Sequence, residues 1–413
     1  MRSCASSRTD LKAGRSCMPS SSSDERRART LAQPGDEYVR LPESGPAEAP
    51  AMPTADTAIT ALSRDSPFPG TVPKGDRHSR GLSPRHGPMG PGRSGGRTAG
   101  LSAGAGRRLG SLNGESRTYD AAGVSLAKAE EIVERLRGAV ESTGAAGFGA
   151  FAGLYALDDR RLLAASTDSV GSKLILARRA ERLHWAGMDL AAHCINDVIT
   201  TGADPLFFLD YIAANSIRLD QVTELVEGAA EVCRAANCML IGGETAELPG
   251  VYREDELDFA GTCVGIVERD RLIDGSRCAA GDTIVGFASS GLHTNGFTLV
   301  RELVGDGDFD ADLLLAPHRL YLEEVHALRD RADVKALAHV TGGAILGNLA
   351  RVLPEGLEAR IDWDAWERPP VFAWLVEQGV DEQELRRVFN VGIGMCAVVA
   401  DAPGDALVIG ELA

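Results

Sequence analysis

PLFFLDYIAANSIRLDQVTELVEGAAEVCRAANCMLIGGETAELPG occupies residues 205–250. Its first ten residues (205–214) are apolar except for Asp210 and form a strand. Residues 219–236 repeat apolar positions at helical spacing with acids outward, and 238–243 return to a short buried strand. Working outward, the alternation continues. Upstream lie a strand at 162–167 and a helix at 186–202, and downstream a strand at 257–268. A loop at 276–289 leads into another strand and starts a second unit, with helices at 295–303, 318–330, 344–353 and 381–389 and a strand at 391–400. Ahead of all this, 125–140 has the period of a helix, with Ser125 as its N-cap.

Composition divides the chain. Residues 1–112 hold 17 Lys+Arg against 10 Asp+Glu, 12 of the 19 prolines and no tryptophan, whereas 113–413 hold 26 against 49. The first part is expected to be a disordered, dispensable tail, and the folded part is strongly acidic. That acidity excludes a phosphate-backbone binder, so no nucleic-acid partner is expected. No apolar run is long enough to cross a membrane. Eight cysteines show neither CxxC pairs nor zinc spacing. With no secretory leader, the expectation is free thiols and a cytoplasmic protein.

Five segments carry the candidate chemistry, and all but one of them join glycine to acidic or hydroxyl residues at turns. In STDSVGSKL (166–174), Asp168, Gly171 and Lys173 suit a Mg²⁺–phosphate site, or else Asp168 caps a helix beside a solvated lysine. In CIND (194–197), Asn196 and Asp197 sit in an apolar stretch. A buried carboxylate there coordinates metal or pairs with His193 at i−4. In LIGGETAELPG (240–250), Gly242-Gly243 precede Glu244 and Glu247, which would share one side of a first helical turn. SSGLHTNGF (289–297) and HVTGGAILGN (339–348) each join a strand to a helix and are read as phosphate loops, with His293 and His339 beside them. Together they suggest a two-domain enzyme that binds a nucleotide and a phosphorylated substrate.

These segments, with TYDAAGVSL (118–126), TTGADPLFFLDY (200–211), LLAPHRLYLEEV (314–325) and VFNVGIGM (388–395), resemble in their order the phosphoribosylformylglycinamidine cyclo-ligases, also called aminoimidazole ribonucleotide synthetases. The resemblance implies an α+β N-terminal ATP-binding domain over 118–277, its strands pairing across a homodimer. It implies a C-terminal αβα layered, substrate-binding domain with a mixed sheet over 278–413. It implies ATP and Mg²⁺ as cofactors and ring closure of formylglycinamidine ribonucleotide as the reaction. Carried onto this sequence, Asp168, Asp197 and Glu244 would hold Mg²⁺. Gly171, Ser172, Lys173, Asn196, Gly242, Gly243 and Thr245 would contact ATP, with Lys173 a phosphate partner. Ser290, Gly291, Thr341, Gly342 and Gly343 would line the substrate side. His293 and Asn295 would join Asp168 as catalytic residues, His293 moving a proton or polarising the formyl oxygen. The chain departs from the family pattern at Ser169, where glycine is usual, at Pro317-His318-Arg319, where the family reads P-T-R, and in the short glycine-rich segment 142–153.

Overall fold

Twelve consecutive residues, Leu257–Glu268, form a strand that buries every second side chain, and the first half of the fold is built around it. A computed structural model describes residues 117–145 and 148–413. The tail expected over 1–112 lies outside the described residues. The N-terminal helix α1 (Leu126–Glu141) begins at Ser125, whose hydroxyl accepts from the Lys128 amide. Then come β1 (Gly153–Ala156), β2 (Arg161–Ser169), α2 (Lys173–Arg179), α3 (Leu183–Ile199), β3 (Asp204–Ala214), α4 (Leu219–Ala235), β4 (Met239–Glu247) and β5 (Leu257–Glu268). The strands make one sheet in the order β1-β2-β5-β3-β4, with β3 and β4 parallel and the other neighbours antiparallel. Helix α3 lies on the inner face of this sheet. It is apolar nearly all round, and fourteen of its residues are buried. Gly187 and Gly228 let α3 and α4 touch backbone to backbone, since a Cβ on either would lie about 2 Å from the other helix's carbonyl oxygen.

The second half comprises β6 (Thr283–Ala288), α5 (Phe297–Val304), α6 (Ala311–Leu314), α7 (Leu322–Arg329), β7 (Val334–His339), α8 (Ala344–Ala350), β8 (Ala359–Ile361), α9 (Pro370–Glu377), α10 (Glu382–Val388), β9 (Ile393–Val399) and β10 (Val408–Leu412). Its sheet runs β7-β9-β6-β10-β8. Every pairing in it is antiparallel, so the mixed sheet expected here belongs to the first half instead. Both faces are covered. Val285, Leu337, Met395 and Val399 pack with residues of α5, α7, α9 and α10. Ile284, Ala338, Cys396 and Val398 pack with Ile345 and Leu349 of α8. Central β9 is therefore buried along its whole length.

One local expectation fails in a way that bears on function. Gly242-Gly243 and Glu244–Glu247 do not turn into a helix but continue β4 as an edge strand. Gly243 lies so close to Asp210 of β3 that a Cβ would sit 2.3 Å from its carboxylate oxygen. The glycine thus serves strand approach rather than a ligand turn.

Candidate functional site

Helix α3 places Asp189, His193 and Asp197 at i, i+4 and i+8, on one stripe of an otherwise apolar cylinder. That stripe faces the ends of β2 and β7 and the loops that precede α5 and α7. Four of the chain's eight histidines meet there. The His293 and His318 rings stack at 3.9 Å, and His193 and His339 meet edge to face at 5.0 Å. His318 and His339 lie 5.0 Å apart.

Two hydrogen-bonded chains run through this cluster. In the first, Thr294 Oγ1 meets His193 Nδ1 at 2.7 Å, and His193 Nε2 meets Asp168 Oδ2 at 2.9 Å. In the second, Ser166 donates its hydroxyl to Asp197 Oδ2 at 2.9 Å. Asp197 Oδ1 faces His339 Nδ1 at 2.7 Å, and His339 Nε2 faces His318 Nε2 at 2.9 Å. The tautomers are assigned from this network. With Asp197 ionised, His339 carries its proton on Nδ1 and accepts at Nε2 from His318. The Nδ1 of His318 is then a buried lone pair with no partner. Burial works against a charged His193, but the carboxylates of Asp168, Asp197 and Asp189 outweigh it and push its pKa up to about 9. Burial also works to raise Asp168, and the His193 imidazolium overcomes it, holding that carboxyl below its ordinary value. Burial and the neighbouring imidazoles hold His293 and His318 neutral, well below the ordinary histidine value. Burial lowers His339 too, against the pull of Asp197.

The residues expected from sequence separate into three groups. Asp168, Asp197, His293 and His339 come together as described. The i−4 pairing of His193 with Asp197 does not form, because each binds a partner from a different strand. His293 is fully buried, with φ of 61°, and its Nε2 faces the Ser290 amide at 3.4 Å. The ring is enclosed and stacks on His318 beside the carboxylates. Asn295 lies on the same loop with a buried, unpartnered amide nitrogen. The Ser290 hydroxyl is taken up by the Pro317 carbonyl. Gly291 is held through its carbonyl by Asn390 and Ser289. Thr341 and Gly342 are braced by Asn348 on α8, and Gly343 begins that helix.

A second group is structural. Lys173 is 1% exposed, and its ammonium lies 2.8 and 2.9 Å from the two carboxylate oxygens of Asp189, with a third bond to the Ala316 carbonyl. Buried against Asp189, it ties α2 to α3 and, through Ala316, to the second half. Asn196 clamps the Arg319 carbonyl and the Tyr321 amide, so it too is occupied within the protein. Ser172 reaches Thr298 across the domains, and Gly171 turns the chain between β2 and α2 with φ of 62°.

The third group lies elsewhere. In register, Asp168 pairs with Gly261, Gly261 with Asp210 and Asp210 with Gly243, whereas Glu244 falls in the next row, beside Tyr211. Adjacent rows face opposite sides of a sheet. Glu244 therefore points away from Asp168 and stands three strands from it, about 14 Å at the usual strand spacing. Within the chain, Asp168, Asp197 and Glu244 do not close on a single ion. Gly242 and Thr245 are likewise exposed on β4.

A cleft of about 1070 Å³, lined by charged residues that include the Arg277–Asp333 and His326–Asp204 pairs, holds none of the expected residues. A cavity of about 910 Å³ holds two of them, Gly342 and Gly343. Its lining includes Leu126, Val133, Phe148 and Tyr155 together with Arg137 and Arg351. Arg351 binds the carbonyls of Gly149 and Ala150 and stacks on Phe151 at 4.0 Å, latching the glycine-rich segment to α8. Nothing near Arg351 in sequence marks this role, because its partners lie about two hundred residues away. Asp189, His193 and His318 were also missed as site residues. For the first two, the signal is the polar stripe at i, i+4 and i+8 in an apolar helix.

Residues 149–267 match the family model for AIR synthase related protein, N-terminal domain, and residues 279–409 match that for the C-terminal domain. The phosphoribosylformylglycinamidine cyclo-ligase of Synechococcus sp. (strain CC9605) is 44% identical over 70% of this chain and 90% of its own length. The chain belongs to the phosphoribosylformylglycinamidine cyclo-ligase family. The cyclo-ligase of Nitrosospira multiformis is 43% identical over 70% of this chain and 87% of its own length. In fold, the chain is similar to AaThiL complexed with AMPPCP and TMP, with a TM-score of 0.51 and 16% identity over 68% of this chain and 91% of that one. The two halves of the cyclo-ligase fold thus correspond to the two family models, and the histidine–carboxylate cluster lies where they meet. Among the described residues, no helix is long and apolar enough to cross a membrane.

Proposed function

We propose that the chain catalyses ATP-dependent closure of formylglycinamidine ribonucleotide to 5-aminoimidazole ribonucleotide, releasing ADP and phosphate, a step of purine biosynthesis. The observation that carries this reading is 44% identity extending over nine tenths of a curated cyclo-ligase. The chemistry needs an activated oxygen. An amide oxygen leaves poorly until a phosphoryl group from ATP makes it an imidate phosphate. A nitrogen then attacks the carbon, the C–O bond breaks and phosphate departs with that oxygen. Such transfer depends on alignment and charge stabilisation more than on covalent help.

The 910 Å³ cavity supports a place for the nucleotide. Its volume is that of a ligand site. The apolar lining residues suit a base, while the backbone at Gly342-Gly343 suits phosphates. Mg²⁺ neutralises phosphate charge when bound. Asp168 fits that task, because its carboxylate is 37% exposed. Asp197 is enclosed between a hydroxyl and an imidazole, and Glu244 faces the other side of the sheet. The substrate side is read as the loops carrying Ser290, Gly291, Asn295 and Thr341, with His293 setting the first loop's shape.

The reading includes a homodimer. The outer face of the first sheet exposes Leu209, Tyr211 and Met239, an apolar surface that a second copy would cover, and Glu244 and Thr245 stand on its edge strand. It also includes a cytoplasmic location, supported by the six described cysteines, all free thiols. The test supplies the full chain with formylglycinamidine ribonucleotide, ATP and Mg²⁺ and follows ADP and aminoimidazole product. Equimolar appearance of both is expected. A folded chain that yields neither would overturn the reading.

A further inference from the structure

Two loops distant in sequence line the 910 Å³ cavity, the glycine-rich segment at Gly149-Ala150 and the turn at Gly342-Gly343. Asn348 on α8 and Arg351 at its C-terminal cap hold both. Arg351 donates through Nε to the Gly149 carbonyl at 3.2 Å and through Nη2 to the Ala150 carbonyl at 3.1 Å. Its guanidinium lies over the Phe151 ring at 4.0 Å. Its Nη1 reaches Asn348 Oδ1 at 3.3 Å, and that same oxygen accepts from the Thr341 hydroxyl at 3.3 Å. Asn348 is fully buried. Its amide nitrogen donates to the Ala344 carbonyl at 2.7 Å and faces those of Thr341 and Gly342 at 3.3 Å. We propose that Asn348 and Arg351 are positioning residues for the nucleotide, a coupled pair that fixes the spacing of the two loops between which ATP binds.

Neither loop has a reason to keep its shape alone. Residues 142–153 hold four glycines among twelve positions, and glycine loses the most freedom on ordering. In the other loop, Ala344 has φ of 56°. A residue with a Cβ persists there only when its surroundings over-determine it, and the Asn348 bond to its carbonyl does so. A guanidinium suits the first loop because its planar fork binds two carbonyls at once, which an ammonium on a flexible stem does poorly. Holding the loops in advance removes their ordering from the cost of binding ATP. When they are loose, apparent affinity falls with the fraction of chains in the competent arrangement. Bound and transition states share that loss equally, so KM for ATP should rise while kcat stays nearly constant. The inference rests on the cyclo-ligase reading only in taking this cavity as the ATP site.

The full chain and its variants are compared by calorimetry with ATP and Mg²⁺ and by steady-state turnover. Arg351→Met keeps an apolar stem and removes the donors. It should weaken ATP binding and raise the ATP KM about 10-fold, with kcat changed less than about 3-fold. The KM for formylglycinamidine ribonucleotide should stay as in the parent. Arg351→Lys, able to hold one carbonyl, should fall between. Asn348→Ser should also raise the ATP KM, and the double variant should fall short of the product of the two single effects, as for residues that act together. Arg277→Gln, in the other cleft, should bind ATP as the parent does. Thermal melts establish that each variant is folded, and Arg351→Lys decides the matter if Arg351→Met is not. ATP affinity unchanged in the folded Arg351 variants would overturn the proposal. So would a rise in both KM values together, the mark of a packing role alone, or fully multiplicative effects in the double variant. A parent that binds ATP in an Arg351-dependent way but forms no aminoimidazole product would sink the cyclo-ligase reading and leave this proposal standing. A parent that binds no ATP would overturn both.

Discussion

The two sheets have the same number of strands and opposite surroundings. In β5 of the first sheet, residues 259, 261, 263, 265 and 267 are buried, and those between them are not. In β9 of the second, all of Ile393–Val399 are buried. The sequences report this directly, alternating in LDFAGTCVGIVE and continuously apolar in IGMCAVV. A continuous run is often associated with parallel sheets, yet β9 pairs antiparallel on both sides. The pattern therefore reports how many faces are covered, not strand direction. A sheet covered on both faces is finished within one chain, whereas a sheet with one bare apolar face has room for a partner.

The strongest break of this comparison places the same charge on each sheet. Val398→Asp buries an unpaired carboxylate in the closed core and should cost more than about 4 kcal/mol, leaving little folded protein. Val264→Asp, on the bare face of β5, should keep the fold while shifting the mass in light scattering toward monomer. Equal loss of circular dichroism in both would mean that the bare face is not a separate layer.

Next in size is the staple between the halves. Lys173→Met strands Asp189 as a buried charge and should cost about 3–5 kcal/mol in urea unfolding. Adding Asp189→Leu should recover much of that loss. A double variant no better than the single would show that the lysine acts through packing alone.

Asp168→Asn should keep the fold but lower its melting temperature, because buried His193 loses its ion-pair partner, while reducing turnover by about 10²–10³-fold, the scale of one lost electrostatic group. His293→Gln tests the other half of the site. If His293 is a neutral wall, the pH profile of turnover keeps its shape, and a lost limb would support the acid–base role. The smallest effect expected is Ser125→Ala, about 1 kcal/mol or less, from loss of the α1 cap.

The local elements were legible because periodicity and caps act over a few residues. Leu257–Glu268 is a strand over the predicted span, Leu219–Ala235 a helix to within one residue, and Ser125 caps α1. Glycine before two acids was misread as a turn, because what Gly243 accommodates is Asp210 on the neighbouring strand. Asp168 was legible as the acid at a strand-to-helix glycine turn, and Asp197 as a polar residue in an apolar stretch. Their partners were not, since His339 lies 142 residues from Asp197 and joins it only when α3 packs under β7. The same holds for Lys173, whose spacing after Asp168 suggested a phosphate ligand, and for Arg351 on the glycine-rich segment. Short-range sequence determines which groups are charged and which segments are helix or strand. Long-range packing alone decides whether a charge meets solvent, a ligand or another side chain, because that depends on which distant element removes its water.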